Sequence, residues 1–263
     1  MASAESPVLL IVHGGGHSDP AYAQPFLTSL KKLNISAEIG SQPSDGGFPP
    51  VGRSMYGDAV YWRNKITSLL DAGKDVVMIM HSIGGIVGTE AAQGLSKAER
   101  QKAGLPGGVV HLIYLASYLA DEGESTFTFY APGRGMPTRA SFVEAENGTS
   151  VADLKPFSDH FYNDLPEVER QHWAEYLKRV PAEWYTQPVT HATWRDIQST
   201  WIFTEKDDII PVEIQRAMVW DGEQKHGVKF QAFNMDTGHS PFLSRPDELA
   251  SIVKQAAYVD QSF

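Results

Sequence analysis

Short unbroken apolar runs and helix-spaced amphipathic stretches alternate along most of this chain. Val8-Leu9-Leu10-Ile11-Val12 is the first such run, rich in β-branched residues and closed by His13-Gly14-Gly15-Gly16. A run without polar alternation marks a strand covered on both faces, and the glycines mark a turn with close backbone approach. A helix is predicted over 21–33 and a short second strand at 37–39. Residues 40–57 are dense in Gly, Pro and Ser and read as a long loop, a type of segment that is often functional. Asp58 is placed as the cap of the next helix, whose apolar face carries Trp62, Ile66, Leu69 and Leu70 and whose stop is Gly73. A strand over 76–80, a helix from about 83 to 93 ending at Gly94, and a strand over 109–116 continue the alternation.

The alternation lapses over 121–194, a stretch crowded with aromatic residues, among them Phe127, Phe129, Phe161, Tyr162, Trp173 and Trp184. Its one clear helix start is Asp164-Leu165-Pro166-Glu167, with an acid at the cap and proline in the first turn. The pattern resumes with a strand over 200–204, a helix over 211–220, a strand over 228–233 and a last helix over 246–258. Alternating strands and helices predict an α/β fold: a mostly parallel central sheet with helices on both faces. Residues 1–120 and 195–263 are assigned to that core, and 121–194 to an inserted helical cap.

Composition narrows the chemistry. The chain has 263 residues, 42% of them hydrophobic and 21% charged, so a sizeable core is available. A net charge of −10 argues against nucleic acid or an anionic membrane surface as partner. The absence of cysteine removes disulfides, thiolate catalysis and Cys-ligated zinc. Residues 1–7 show no signal-peptide pattern and no apolar stretch is long enough to span a bilayer, so a cytoplasmic protein is expected. The sequons at Asn34 and Asn147 are then chance matches. His81, His111, His160 and His172 lack metal-ligand spacing, so neither a metal nor another cofactor is expected.

The chemistry concentrates at strand ends. The run 75–85 passes from a buried strand through His81 and Ser82 into Ile83, Gly84 and Gly85. A strand that ends at a hydroxyl and turns into a helix has the form of a nucleophile elbow. A serine needs a base, and the base needs an orienting carboxylate. Glu205-Lys206-Asp207-Asp208 follows one late strand, and Thr237-Gly238-His239-Ser240 follows the next. The order Ser82, Asp207, His239 is expected for one class of serine hydrolase. For the oxyanion, the amides of Ile83 and Gly15 are the expected donors. Alone, the glycine turn reads equally as a phosphate-binding turn or a tight bend. It lacks a P-loop lysine, and Asp19 stands where a dinucleotide fingerprint needs glycine.

Together these residues resemble the α/β-hydrolase fold superfamily, in particular its branch of plant methylesterases and hydroxynitrile lyases with related small fungal and bacterial hydrolases. The resemblance is carried by residues 8–17, 76–88, 201–211 and 238–246. It implies Ser82 as nucleophile, His239 as base and Asp207 rather than Asp208 as acid. Similar lyases carry threonine after the first-strand histidine and lysine after the catalytic histidine. Here Gly14 and Ser240 stand there, which favours hydrolysis. The substrate pocket is expected at Gly14, His81 and Ser240. Met80, two before the serine, is long for an elbow and requires the neighbouring strand to leave room.

The expected activity is that of a carboxylesterase or lactonase on a small hydrophobic ester or lactone, aromatic or polyketide-like. A lyase, a carbon–carbon bond hydrolase or a non-catalytic small-molecule receptor would share the fold. A homodimer is compatible with the sequence.

Overall fold

The computed structural model describes residues 6–45, 54–130, 141–144 and 150–258. Part of the 40–57 loop, the sequon at Asn147 and the first five residues lie outside them. In chain order the elements are β1 (Val8–Val12), α1 (Gln24–Lys32), β2 (Ala37–Ile39), α2 (Met55–Asp71), β3 (Asp75–His81), α3 (Gly84–Ala91), α4 (Lys97–Lys102) and β4 (Gly108–Leu115). The insert carries β5 (Ser141–Glu144), β6 (Ser150–Asp153), α5 (Ser158–Phe161), α6 (Glu167–Ala174) and β7 (Val180–Pro181). Then come β8 (Ser199–Thr204), α7 (Val212–His226), β9 (Phe230–Met235), α8 (Pro241–Ser244) and α9 (Pro246–Ala257).

The central sheet has the order β2-β1-β3-β4-β8-β9, and every pairing in it is parallel. Successive strand residues point to opposite faces. Met78 and Met80 of β3 meet Gly88 of α3, whereas Ile79 and His81 line a cavity closed by Phe26 of α1. Helices therefore cover both faces, with α1 against α9 on one side and α2 against α3 on the other. The buried side chains of all these layers form one continuous core. Parallel order brings the carboxyl ends of β3, β8 and β9 to one rim, the usual place for an active site in such sheets. Among the described residues no helix is long and apolar enough to cross a membrane.

Several local expectations change. Ser54, not Asp58, caps α2, its hydroxyl accepting from Gly57 N at 3.0 Å. Asp58 is instead fully buried and accepts from Ser44 N (3.0 Å), the Ser44 hydroxyl and Trp184 Nε1 (2.8 Å). Tertiary donors have taken the carboxylate from its helix end. Likewise Asp164 does not cap α6, which begins at Glu167 behind Pro166, because its carboxylate accepts from Gly238 N at 2.8 Å. Helix α7 runs past 220 to His226 and stops only at Gly227, which takes the left-handed φ of +69°. The insert also carries the antiparallel sheet β5-β6-β7, which its sequence periodicity did not reveal.

Candidate active site

Ser82 occupies the turn between β3 and α3 with φ +54°. A left-handed serine costs on the order of 1–3 kcal/mol and persists only where its surroundings hold it. Here Ser82 N–H donates to Leu115 O at 3.2 Å, and Ser82 O accepts from Gly85 N at 3.0 Å and from Ser117 Oγ at 2.7 Å. The turn also presses α3 against the end of β1. A Cβ on Gly84 would lie 2.6 Å from His13 O and 2.7 Å from Val12 O, so only glycine fits there. Room for Met80 comes from a helix rather than from the next strand. A Cβ on Gly88 would lie 2.4 Å from Met80 Sδ.

The loop after β1 closes on this turn. A Cβ on Gly14 would stand 2.9 Å from Ser82 Cβ and 2.8 Å from His81 Nδ1. One on Gly15 would stand 3.5 Å from Ile83 Cγ2 and 3.3 Å from the ring of Trp184. The structure thus sets Gly15 beside Ile83, with an insert tryptophan as a wall. Two histidines fix the loop. His13 Nδ1 donates to Gly14 O and His17 Nδ1 to Gly15 O, both at 2.8 Å. Burial pushes His13 down to about 4 and His17 to about 3, so both are neutral near pH 7. His17 Nε2 then faces the Tyr162 hydroxyl at 3.1 Å, which ties the loop to the insert.

At the ends of β8 and β9, His239 Nδ1 lies 3.0 and 2.9 Å from the two carboxylate oxygens of Asp207, and both side chains are fully buried. Asp207 is held on every side. Oδ1 accepts from Ile209 N (2.9 Å) and Ile210 N (2.8 Å), and Oδ2 from Thr204 Oγ1 (2.9 Å) and Gln215 Nε2 (3.1 Å). Asp208 points elsewhere, its Oδ2 2.5 Å from His160 Nδ1. An acceptor at Nδ1 leaves Nε2 of His239 unprotonated, the form a general base needs. That Nε2 is buried and has no hydrogen-bond partner among the described residues, Ser82 Oγ included.

His81 joins the two halves. Its Nε2 donates to His239 O at 2.9 Å, and the two rings lie 4.6 Å apart. Burial, and after it the neighbouring His239 and His17, hold His81 well below its usual range, so it braces the loop that carries His239 as a neutral ring. Ser240 follows His239 as a fully buried residue whose hydroxyl has no partner among the described residues. Phe161 packs 5.6 Å from the His239 ring and Phe242 4.9 Å from that of His81. A cavity of about 50 Å³ lies beside His81, lined also by Ile11, Phe26 and Ile79.

Sequence reasoning missed Gln215 and the anchoring role of His17. Gln215 is fully buried on α7 and donates to Thr204 Oγ1 and Ile210 O as well as to Asp207. A lone polar residue on the inner face of a predicted helix was the available signal for it. For His17 the signal was a second histidine just past the glycine turn.

The model of the alpha/beta hydrolase family matches residues 9–252. The chain is 32% identical over 255 residues to the alpha/beta hydrolase nvfD of Aspergillus novofumigatus, covering 95% of this chain and 96% of that protein. It is 26% identical to the probable hydrolase R7 of a Phoma species over 253 residues, 95% of this chain and 98% of that one. Among solved structures, polyneuridine aldehyde esterase superposes with a TM-score of 0.76 at 16% identity, covering 95% of this chain and 99% of the other. A pyrethroid hydrolase from Sphingobium faniae gives 0.73 at 18% identity, covering 98% and 100%. The parallel sheet, the strained serine turn and these matches along nearly the whole length agree, and the chain belongs to the alpha/beta hydrolase family.

Proposed function

We propose that this protein is a serine hydrolase that cleaves a small hydrophobic ester or lactone through an acyl-enzyme. The observation that carries the reading is the Asp207–His239 pair, whose Nε2 has no hydrogen-bond partner among the described residues and whose ring packs 4.6 Å from that of His81, the residue before Ser82. His239 Nε2 takes the Ser82 proton as Oγ attacks the carbonyl carbon. The amides of Ile83 and Gly15 receive the oxyanion, each donor being worth roughly 3 kcal/mol in the barrier. Collapse of the tetrahedral intermediate expels the alcohol, which takes the proton from His239. Water, activated by the same imidazole, then releases the acid and restores Ser82. Asp207 keeps the proton on Nδ1 and stabilises the imidazolium.

The aromatic walls Phe161, Trp184 and Phe242 favour a compact apolar acyl or alcohol group. Ser240 beside the base offers no cation for a departing cyanide, so ester hydrolysis is favoured over cyanohydrin cleavage. The test is a panel of short p-nitrophenyl esters, aryl esters, lactones, cyanohydrins and a long-chain triglyceride emulsion, assayed with wild type and Ser82→Ala. Turnover of short esters or lactones that disappears in the variant is the expected result. Retained turnover in the variant would reject Ser82, and faster cleavage of the emulsion or of cyanohydrins would reject the substrate class.

A further inference from the structure

Two consecutive side chains of the insert reach the loops that carry the acid and the base. The backbone ladder between those loops ends with Lys206 N–H donating to Thr237 O at 2.9 Å. Just past that rung His239 Nδ1 meets Asp207 at 2.9 Å. The next polar groups on each side, Lys206 O and Gly238 N–H, are taken by the insert. Asn163 Nδ2 donates to Lys206 O at 2.7 Å, and Asp164 Oδ2 accepts from Gly238 N at 2.8 Å. Lys206 directly precedes Asp207, and Gly238 directly precedes His239.

The fit is close. A Cβ on Gly238 would lie 2.0 Å from Asn163 Oδ1 and 2.9 Å from Asp164 Oδ1, so any larger residue would displace the two side chains from their present places. Both of those oxygens are buried and make no hydrogen bond among the described residues, so Asn163 Nδ2 and Asp164 Oδ2 alone carry the contact. A third bond from the same segment, His160 to Asp208, grips the outer side of the acid loop.

We propose that Asn163 and Asp164 are positioning residues, a latch through which the seated insert sets the spacing of Asp207 and His239 and hence the reach of Nε2 to Ser82. The proposal rests on the serine-hydrolase reading for its kinetic consequence, though not for its geometry. A misplacement of about 1 Å costs up to a hundredfold in rate, so the latch acts on kcat more than on KM. Asp164→Ala removes the acceptor from Gly238 N, whereas Asp164→Asn keeps one in Oδ1.

The experiment measures kcat and KM per fluorophosphonate-titrated site, together with the low-field proton resonance of the His239 Nδ1–H···Asp207 bond. Asp164→Ala is expected to lower kcat about ten- to a hundredfold with KM within about threefold, and to shift or broaden the resonance. Asp164→Asn is expected to restore most of both. If Asp164→Ala does not fold, Asn163→Ala gives the second reading, with a smaller loss in the same direction. A folded Asp164→Ala with kcat within twofold of wild type and an unchanged resonance overturns the latch. Failure of the wild type to be labelled at Ser82 would count instead against the hydrolase reading, and the resonance would still decide on the latch.

Discussion

Replacing Asp207 by Asn tests the arrangement where it is most constrained. The variant conserves shape and removes one charge. Oδ1 accepts two backbone amides, from Ile209 and Ile210, and an amide nitrogen there would face two donors. The new NH2 is therefore driven to the Oδ2 side, where it meets Thr204 Oγ1, Gln215 Nε2 and His239 Nδ1. The threonine hydroxyl accommodates a donor, and Oδ1, although 3.0 Å from Nδ1, is already occupied by two backbone amides, so the imidazole is expected to accept at Nδ1 from the new NH2. Its proton moves to Nε2, and the base can no longer take a proton from Ser82. In a Ser-His-Asp triad this tautomer change costs about 10⁴ in kcat, or roughly 5.5 kcal/mol of barrier. The donor clash with Gln215 and the lost charge-assisted bonds cost about 1–3 kcal/mol of stability besides. The assay is hydrolysis of a short p-nitrophenyl ester by the folded variant, with folding checked by thermal unfolding. A kcat within tenfold of wild type would refute the tautomer argument and the assignment of Asp207.

Other outcomes follow from packing and titration. Gly88→Ala forces a methyl to 2.4 Å from Met80 Sδ and is expected to destabilise by about 1–3 kcal/mol. Met80→Ala alone leaves a void and costs about 2–5 kcal/mol. In denaturant unfolding the double variant should be less destabilised than the sum by about 1 kcal/mol or more, and additivity within about 0.5 kcal/mol would contradict the contact. On acidification, burial holds His13, His17, His81 and His111 neutral in the fold, with His13 and His111 near 4 and His17 near 3, whereas in the unfolded chain all four protonate near about 6.5. Below that pH the unfolded state binds more protons, so their contribution is lost as pH falls from about 6.5 towards 4. Burial raises Asp45 to about 7 and Asp58 to about 6, so these two bind protons in the fold and oppose the trend, but four histidines outnumber two carboxyls. Chemical unfolding across pH should show stability falling from pH 6.5 to 4.5, and a rise over that range would sink this assignment of charges.

What the sequence discloses and what it withholds divide along contact range. The run 75–85 contains its own strand, turn and helix start, so the turn at Ser82 was legible from its neighbours. Asp207 and His239 drew notice because each follows an apolar run, and the parallel sheet gathers such ends at one rim, where the two side chains meet. The resemblance chose Asp207 over Asp208, and in the structure Asp207 faces His239 while Asp208 faces His160. Asp58 and Asp164 were misplaced because each sits beside a helix start that would welcome a carboxylate. The donors to Asp58, Ser44 and Trp184, lie 14 and 126 residues away, and the donor to Asp164, Gly238, lies 74 away, all beyond the span of a helix-start pattern. The small sheet β5-β6-β7 escaped for a related reason. Its strands are two to four residues long, too short for a period to show.

Peptide mass spectrometry after treatment with a fluorophosphonate asks whether the Ser82 hydroxyl is the group that His239 activates. A single adduct on the peptide bearing Ser82, formed at a rate that collapses in His239→Ala, is expected. Labelling at another residue, or equal labelling of Ser82 without His239, would contradict that reading.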